Sequence, residues 1–401
     1  MNVLLLNNGR FIPVKSHTMY ADLMRAFQRN GHSIYIISGN ERRYDPLPEY
    51  FEEDGIRCVS VRIGNLIKCG LLEKALTMMT ISKKYIFGIK KYYSNVRFDL
   101  VLYPTPPISF LGTVDYVKNR DGAKTYLLLK DIFPQNAVDI GIMSRNGLKG
   151  IIYSYYRRQE KGLYRISDFI GCMSQANVDY VIANNKEIEP DKVEVCPNCI
   201  EACDKSLDKE TKKVIRDQYG IPKDKIVFVY GGNLGKPQGI PFLIECLGKC
   251  ESIEKAYFLI IGEGSEYHLI SDYMAKNKLT NVKLMKRLPK EEYDSMVGAC
   301  DVGMIFLDHR FTIPNFPSRL LAYMQAKLPV LACTDPNTDI GKVIVEGGFG
   351  WWCESDDSDR FIGEVRKIMK SDLESAREKE YHYLLDHYTV DGAYQVIMKH
   401  F

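Results

Sequence analysis

The 401-residue chain has no run of about 18 apolar residues, so no membrane-spanning segment is expected in it. The apolar core of a secretory leader is missing as well, since Asn2–Leu6 is short and Asn7-Asn8-Gly9 ends it. The eleven cysteines are odd in number and scattered, which fits reduced thiols in the cytoplasm better than a disulfide framework. Cys196, Cys199 and Cys203 form a C-x2-C-x3-C cluster, but no histidine or second CxxC stands near it. Neither metal nor redox chemistry is expected there. GxGxxG is absent after the first strand-like segment, which argues against a dinucleotide cofactor. No DxD-like pair is placed to hold a metal. Excess charge of one sign is also lacking: 54 Lys and Arg face 51 Asp and Glu. Net charge therefore says little about partners, and no nucleic acid is expected among them.

The composition is that of a globular protein, 45% apolar and 11% aromatic, with room for two domains. Apolar segments at Asn2–Leu6, Ser33–Ser38, Ile56–Val61, Leu100–Tyr103, Lys124–Leu129, Phe169–Met173 and Val193–Val195 read as strands of a first α/β half. The fifth of them runs into Lys130-Asp131-Ile132-Phe133-Pro134. Ligands of α/β folds gather at the carboxyl ends of parallel strands, so Asp131 is a candidate for acid–base work. A turn cap is the other reading of this residue. Residues 66–93 hold six lysines against one glutamate, interleaved with Leu, Ile, Met, Phe and Tyr. That composition suits an amphipathic element lying on an anionic bilayer. A crossover helix with a solvated lysine face is the alternative.

The second half repeats the rhythm. Strands at Ile226–Tyr230, Tyr257–Ile261, Val282–Leu284, Val302–Ile305 and Val330–Ala332 predict a second parallel sheet. After the first of these come Gly231, Gly232, Gly235 and Gly239, broken by Asn233, Lys236 and Gln238, and then apolar residues at helical spacing. A strand, a glycine-rich turn and a helix gather free backbone N–H groups where an anion can approach closely. A tight turn that needs glycine for geometry alone is the alternative. Gly262-Glu263-Gly264 and Arg287-Leu288-Pro289 are further loops at strand ends. Phe316-Pro317-Ser318-Arg319 opens another helix, with Ser318 as a candidate N-cap and Arg319 as a bidentate cation beside the positive helix end. Glycine turns and a Ser-Arg helix start on one sheet together suggest a diphosphate clamp.

Five stretches carry a resemblance: YGGNLGKPQGI (230–240), IIGEGSE (260–266), KRLPKEEY (286–293), FPSRLLAYMQAKLPVLA (316–332) and LKDIFPQNAVDIGIM (129–143). They are similar to the motifs of GT-B nucleotide-sugar glycosyltransferases of family 4. Within it they resemble most the bacterial branch that adds N-acetyl-L-fucosamine-type sugars to lipid-linked saccharides of capsule or O-antigen. The resemblance covers nearly the whole chain. It implies an α/β, GT-B architecture of two Rossmann-like domains facing across a cleft: an acceptor domain at 1–200 and a nucleotide-sugar domain at 201–385. A last helix, 386–401, would return to the first domain. The implied activity is that of a hexosyltransferase moving a sugar from a UDP-sugar to a polyprenyl-linked saccharide, with no metal or other cofactor. It would work in the cytoplasm, peripherally bound to an anionic membrane surface, the inner face of the cell membrane.

On the donor side the resemblance points to Gly231, Gly232, Asn233, Gly235, Lys236, Gln238, Gly262, Glu263, Gly264, Arg287, Ser318 and Arg319. On the acceptor side it points to Asp131 as the catalytic base, with His17 and Lys130. The chain departs from the family pattern in several places, among them the glycine loop, where Asn233 and Gln238 replace the Arg and Lys often found there. Ala322 stands where many members carry Glu, Pro314 stands eight positions earlier where its partner Glu would be, and Lys130 replaces the usual His before Asp. A UDP-sugar epimerase of the same architecture and a non-catalytic subunit of a polysaccharide assembly complex are the alternative functions.

Overall fold

A computed structural model of the chain describes residues 1–10, 18–66 and 69–401. The expected acceptor-side residue His17 lies outside the described residues. The chain divides into two compact units, Met1–Glu201 with Thr389–Phe401, and Ala202–Tyr388.

The first unit is built on eight strands: β1 (Asn2–Asn7), β2 (Ser33–Glu41), β3 (Tyr50–Glu53), β4 (Ile56–Ile63), β5 (Leu100–Thr105), β6 (Lys124–Leu129), β7 (Phe169–Cys172) and β8 (Val193–Val195). Their order is β3-β4-β2-β1-β5-β6-β7-β8, parallel throughout except for the β3–β4 pair. Every residue of β5 is buried, as are Val3 to Leu6 of β1. A sheet covered on both faces needs such unbroken apolar strands. The edge strand β3 was not expected, because Tyr50-Phe51-Glu52-Glu53 has too little apolar character to read as a strand. Its signal is the turn that follows: Asp54 (φ 50°) and Gly55 (φ 78°) adopt the left-handed pair that closes a two-residue hairpin.

The chain end belongs to this core. Val390, Ala393, Tyr394 and Ile397 of the Val390–Met398 helix pack with Leu23, Phe27, Ile36 and Tyr126. The last helix, expected at 386–401, begins only at Val390, because Thr389 leaves helical geometry after the Leu373–His387 helix and its hydroxyl accepts from Gly392 N (3.2 Å).

Residues 66–93 include the helix Leu71–Tyr92, which connects β4 to β5 and buries Ile81, Tyr85 and Ile89 completely. Three of its lysines are held by the protein. Lys84 Nζ donates to Arg62 O (2.9 Å), Lys90 lies over the Tyr116 ring (5.2 Å), and Lys91 pairs with Glu49 (2.6 Å). The stretch thus contains a crossover helix, and these contacts leave fewer free cations on it than composition suggested.

The second unit contains β9 (Ile226–Asn233), β10 (Ala256–Glu263), β11 (Val282–Met285), β12 (Val302–Phe306), β13 (Val330–Thr334) and β14 (Gly350–Glu354). All are parallel, in the order β11-β10-β9-β12-β13-β14. This is the Rossmann order, and it reverses between β9 and β12, where α/β sheets open a crevice at the strands' carboxyl ends. The unexpected β14 pairs with β13 from Val330↔Gly350 to Thr334↔Glu354. Its half-buried Gly350-Trp351-Trp352 start gives a weak strand signal.

Candidate active site

The glycine-rich turn leaves β9 at the strand-order reversal, and each of its glycines has a different reason to be there. A Cβ on Gly231 would lie 2.0 Å from Tyr293 Oη, so that glycine makes room for a buried phenol. Gly232 has φ +131°, a conformation side chains resist, and it is exposed. Gly239 (φ +58°) sets the start of the Ile240–Lys249 helix. Gly235 is extended, and the loop around it is braced by Gln238. The Gln238 Oε1 accepts from Asn233 Nδ2 (2.7 Å) and from Gly235 N (3.4 Å). Lys236 is exposed in the short turn that follows, Lys236–Gln238; its carbonyl accepts from Gly239 N (3.1 Å), and its side chain makes no hydrogen bond or ion pair among the described residues.

Gly262 and Gly264 serve packing. The β10 loop is stitched to the β9 loop by Leu234 N to Glu263 O (3.0 Å) and Glu266 N to Leu234 O (2.9 Å). A Cβ at 262 would come within 2.0 Å of Gly232 O, and one at 264 within 2.2 Å of Leu234 O. Backbone atoms cannot swing aside as side chains can. Gly262→Ala is therefore expected to lower the unfolding free energy by roughly 1–3 kcal/mol, as overpacking does. Thermal unfolding identical to wild type would show that the two loops are not interlocked. Glu263 and Arg287 form an exposed pair at 3.5 Å, on the outer side of this loop cluster.

Arg319 reaches the same loop from below. Its guanidinium lies over the Tyr230 ring (4.3 Å to the centroid), and its Nη2 would stand 3.1 Å from a Cβ on Gly232. Nη1 is buried and has no hydrogen-bond partner, and no carboxylate pairs with the side chain among the described residues. Burial opposes the charge, but the surrounding Tyr230, Tyr323 and Tyr293 outweigh it and leave the guanidinium above its ordinary value. Burial pushes the Tyr293 phenol up to about 12. A half-buried guanidinium that pairs with no carboxylate among the described residues, beside the exposed Gly232, is an arrangement able to receive an anion.

Ser318 requires a correction. Its backbone is already helical (φ −65°, ψ −15°), its side chain makes no cap bond, and the helix it precedes, Arg319–Gln325, has only seven residues. Arg319 acts through where its side chain lies and not through a capped helix end.

Two residues beside this loop were not anticipated. Asp308 follows β12, is almost fully buried, and accepts from Arg310 Nε (2.8 Å), Arg310 Nη2 (2.7 Å) and Arg310 N (3.0 Å). Burial works against its charge, and the Arg310 bonds overcome this to hold the carboxyl below its usual value. Asp308 N donates to Pro237 O (3.0 Å), and Gly239 packs on Asp308 Cα, so this loop abuts the glycine turn. The signal for it was the same one that marked Asp131: charged residues just past a parallel strand.

In the first unit, Asp131 emerges after β6. The residue is half-buried, its Oδ2 accepts from Asn136 Nδ2 (2.6 Å), and its Oδ1 is covered and without a partner. Burial raises the carboxyl to about 6, against the Ile132 and Asn136 bonds that favour the carboxylate. Lys130 diverges from it. The Lys130 Nζ donates to Pro197 O (3.2 Å) and Cys196 O (3.4 Å), so it does not stabilise the Asp131 charge. Cys196 and Cys199 nearby are buried thiols, and burial pushes the Cys199 thiol up to about 12. Around Asp131, Thr105 Oγ1 at the end of β5, Ser109 Oγ and Asn136 Oδ1 are also buried without partners. Buried polar atoms are nearly always satisfied, so such a group at one sheet edge marks where a hydroxyl-rich ligand or ordered water belongs.

Residues 211–384, within the second unit, match the family described as Glycosyl transferases group 1. Over 311 residues the chain is 28% identical to a probable glycosyltransferase, WbjE, of Pseudomonas aeruginosa, covering 76% of this chain and 74% of that one. Among solved structures it is similar to sucrose-phosphate synthase of Thermosynechococcus elongatus (TM-score 0.73, 13% identity, 100% of this chain and 98% of that chain). It is also similar to Alr3699/HepE of Anabaena, solved with UDP and glucose (TM-score 0.67, 14% identity, 100% and 98%). The fold is GT-B, with two Rossmann-like units, and the matches support a glycosyltransferase.

Proposed function

We propose that this glycosyltransferase takes its sugar from a UDP-sugar and delivers it to a hydroxyl of a polyprenyl-linked saccharide, in the synthesis of a bacterial surface polysaccharide such as capsule or O-antigen. The observation that carries the donor side is the unpaired Arg319 guanidinium beneath Gly232 at the strand-order reversal of the second sheet. A diphosphate at the exposed Gly232–Asn233 part of the turn would meet that cation directly, with the Lys236 side chain free to add a second. Both would stabilise the charge that grows on the departing nucleotide, with no metal needed. That the related Alr3699/HepE was solved with UDP and glucose supports this choice of donor. On the acceptor side, Asp131 would take the hydroxyl's proton, and the unsatisfied Thr105 and Asn136 atoms would hold neighbouring hydroxyls. The N-acetyl-L-fucosamine-type sugar of the family-4 enzymes it resembles is the proposed donor class.

The test is to incubate the purified protein with UDP-sugars, with and without a polyprenyl-diphosphate-linked saccharide, and follow UDP release and product. UDP released only with the lipid-linked acceptor is the expected result. A changed sugar nucleotide without acceptor would point to an epimerase, and binding without turnover would point to a non-catalytic subunit.

A further inference from the structure

The helix Gly147–Ile166 of the first unit packs along one side, and its first half leaves the other side open: there Gly150 is buried and Tyr153 and Tyr156 are half-buried. Leu163, Tyr164 and Glu160 are buried toward its carboxyl end. In its first half, Leu148 (84% exposed), Ile151 (67%), Ile152 (51%) and Tyr155 (48%) stand in solvent. Their spacing of 3, 4 and 7 puts all four on one face of the helix, and Ile142 (55%) in the preceding loop adds a fifth large apolar side chain. Isolated exposed apolar residues are ordinary, but four on one helix face, with a fifth in the loop just before it, are a surface built to be covered.

The charge around this face has one sign. From Gly141 to Gln159 the chain contains Arg145, Lys149, Arg157 and Arg158 and no acidic residue. Arg157 is taken by Glu160 (2.6 Å), whereas Lys149 and Arg158 are exposed and make no ion pair among the described residues. The helix also stands beside the first turns of the Leu71–Tyr92 helix: Tyr156 Oη meets Met78 Sδ at 3.6 Å. Leu76 and Met79 of that neighbour are exposed as well.

We infer that the first half of the Gly147–Ile166 helix is the membrane-docking face, inserting Leu148, Ile151, Ile152 and Tyr155 among the headgroups of an anionic bilayer while Lys149 and Arg158 meet lipid phosphates. Apolar side chains with a phenol at one end and cations at the rim match the layered chemistry of that interface. A second copy of the chain fits less well. A two-fold contact would set this cation-only rim against itself, with no carboxylate to answer it. The assignment rests on the reading that the acceptor is held in a membrane. It differs from the expectation drawn from residues 66–93, whose lysines are largely engaged within the protein.

The test is co-sedimentation of the whole chain with vesicles, without donor or acceptor present, so that it stands apart from any transfer activity. Binding to phosphatidylglycerol–phosphatidylethanolamine vesicles is expected to exceed binding to phosphatidylcholine vesicles and to weaken with added salt. Leu148→Ser/Ile151→Ser/Ile152→Ser is expected to weaken vesicle binding at least about tenfold, with melting temperature and UDP affinity unchanged. Lys149→Glu/Arg158→Glu is expected to weaken it on anionic vesicles alone. Wild-type protein that stays in the supernatant, or variants that sediment like wild type, would overturn the inference. So would a wild-type dimer in solution that the triple substitution converts to monomer. Vesicle binding without sugar transfer would leave this inference standing and remove the proposed reaction.

Discussion

Arg319→Ala is expected to weaken UDP binding by roughly 1.5–3 kcal/mol, the range for hydrogen bonds to charged groups, with the unliganded protein nearly as stable as wild type. The two halves of this expectation have separate causes. In the free protein the half-buried guanidinium has no carboxylate partner among the described residues, and its covered Nη1 makes no hydrogen bond, so it contributes little beyond its contact with the Tyr230 ring. Such a cation–aromatic contact is worth about 0.5–1 kcal/mol at an exposed site, and releasing an unpaired buried charge offsets part of that loss. With a diphosphate bound, the same guanidinium gains the counter-ion it lacks. Arg319→Lys keeps the charge but loses the planar fork and the stacking on Tyr230, so it should recover only part of the affinity. Calorimetric titration with UDP decides the matter. Equal affinities for wild type and Arg319→Ala would remove this residue from the donor site and leave the tyrosine box as a packing feature.

Asp131→Asn is expected to slow transfer at least about a hundredfold, in keeping with the loss of a general base, with UDP affinity unchanged. The pH dependence separates this role from a structural one. The carboxyl is raised to about 6 by burial. As the base it must be ionised, so wild-type turnover should rise with pH and level off above about 6, whereas the residual activity of Asp131→Asn should lack that limb. Stability runs the other way. The folded protein binds this proton more tightly than the unfolded chain, so between the ordinary value of 3.8 and about 6 the folded state carries the extra proton. Its contribution is therefore present at low pH and is lost as pH rises through that window. Asparagine has nothing to ionise, so Asp131→Asn should melt no lower than wild type at pH 7.5, and its stability should fall less steeply between pH 4 and 6. Normal turnover by the variant would make Asp131 a turn cap. A melting point well below wild type at pH 7.5 would mean that the Asn136 bond, and not the buried charge, dominates the site.

Most of the fold was legible in the sequence because strand signals are local. The range of β6 is the one expected, and β1, β5 and β9 begin where expected, since strands buried on both faces must be apolar almost without interruption. The glycine turn after β9, its place at a strand's carboxyl end and the cation at Arg319 were visible for the same reason. The strands β3 and β14 were not, because most of their side chains are half-solvated or exposed and their composition blurs into loop. Ser318 shows the limit of a motif: the residue type suits a cap, but only the backbone angles decide, and they are already helical.

What tertiary structure alone decided is which distant groups meet. Sequence read Gly231, Gly262 and Gly264 as places for a ligand. The fold adds a packing need at each: a Cβ would meet Tyr293 at the first and the neighbouring loop's carbonyls at the other two. Lys130 is adjacent to Asp131 in the chain yet turns to the carbonyls after β8, since successive side chains leave a strand in opposite directions. Likewise the lysines of 66–93 look like one basic face until β4 and its neighbours claim three of them, while the uncovered apolar face lies on another helix. Periodicity and residue type report what each segment needs to bury. They carry no information about which side chain, remote in sequence, arrives to bury it, and the site chemistry at Arg319 and Asp131 depends on those arrivals.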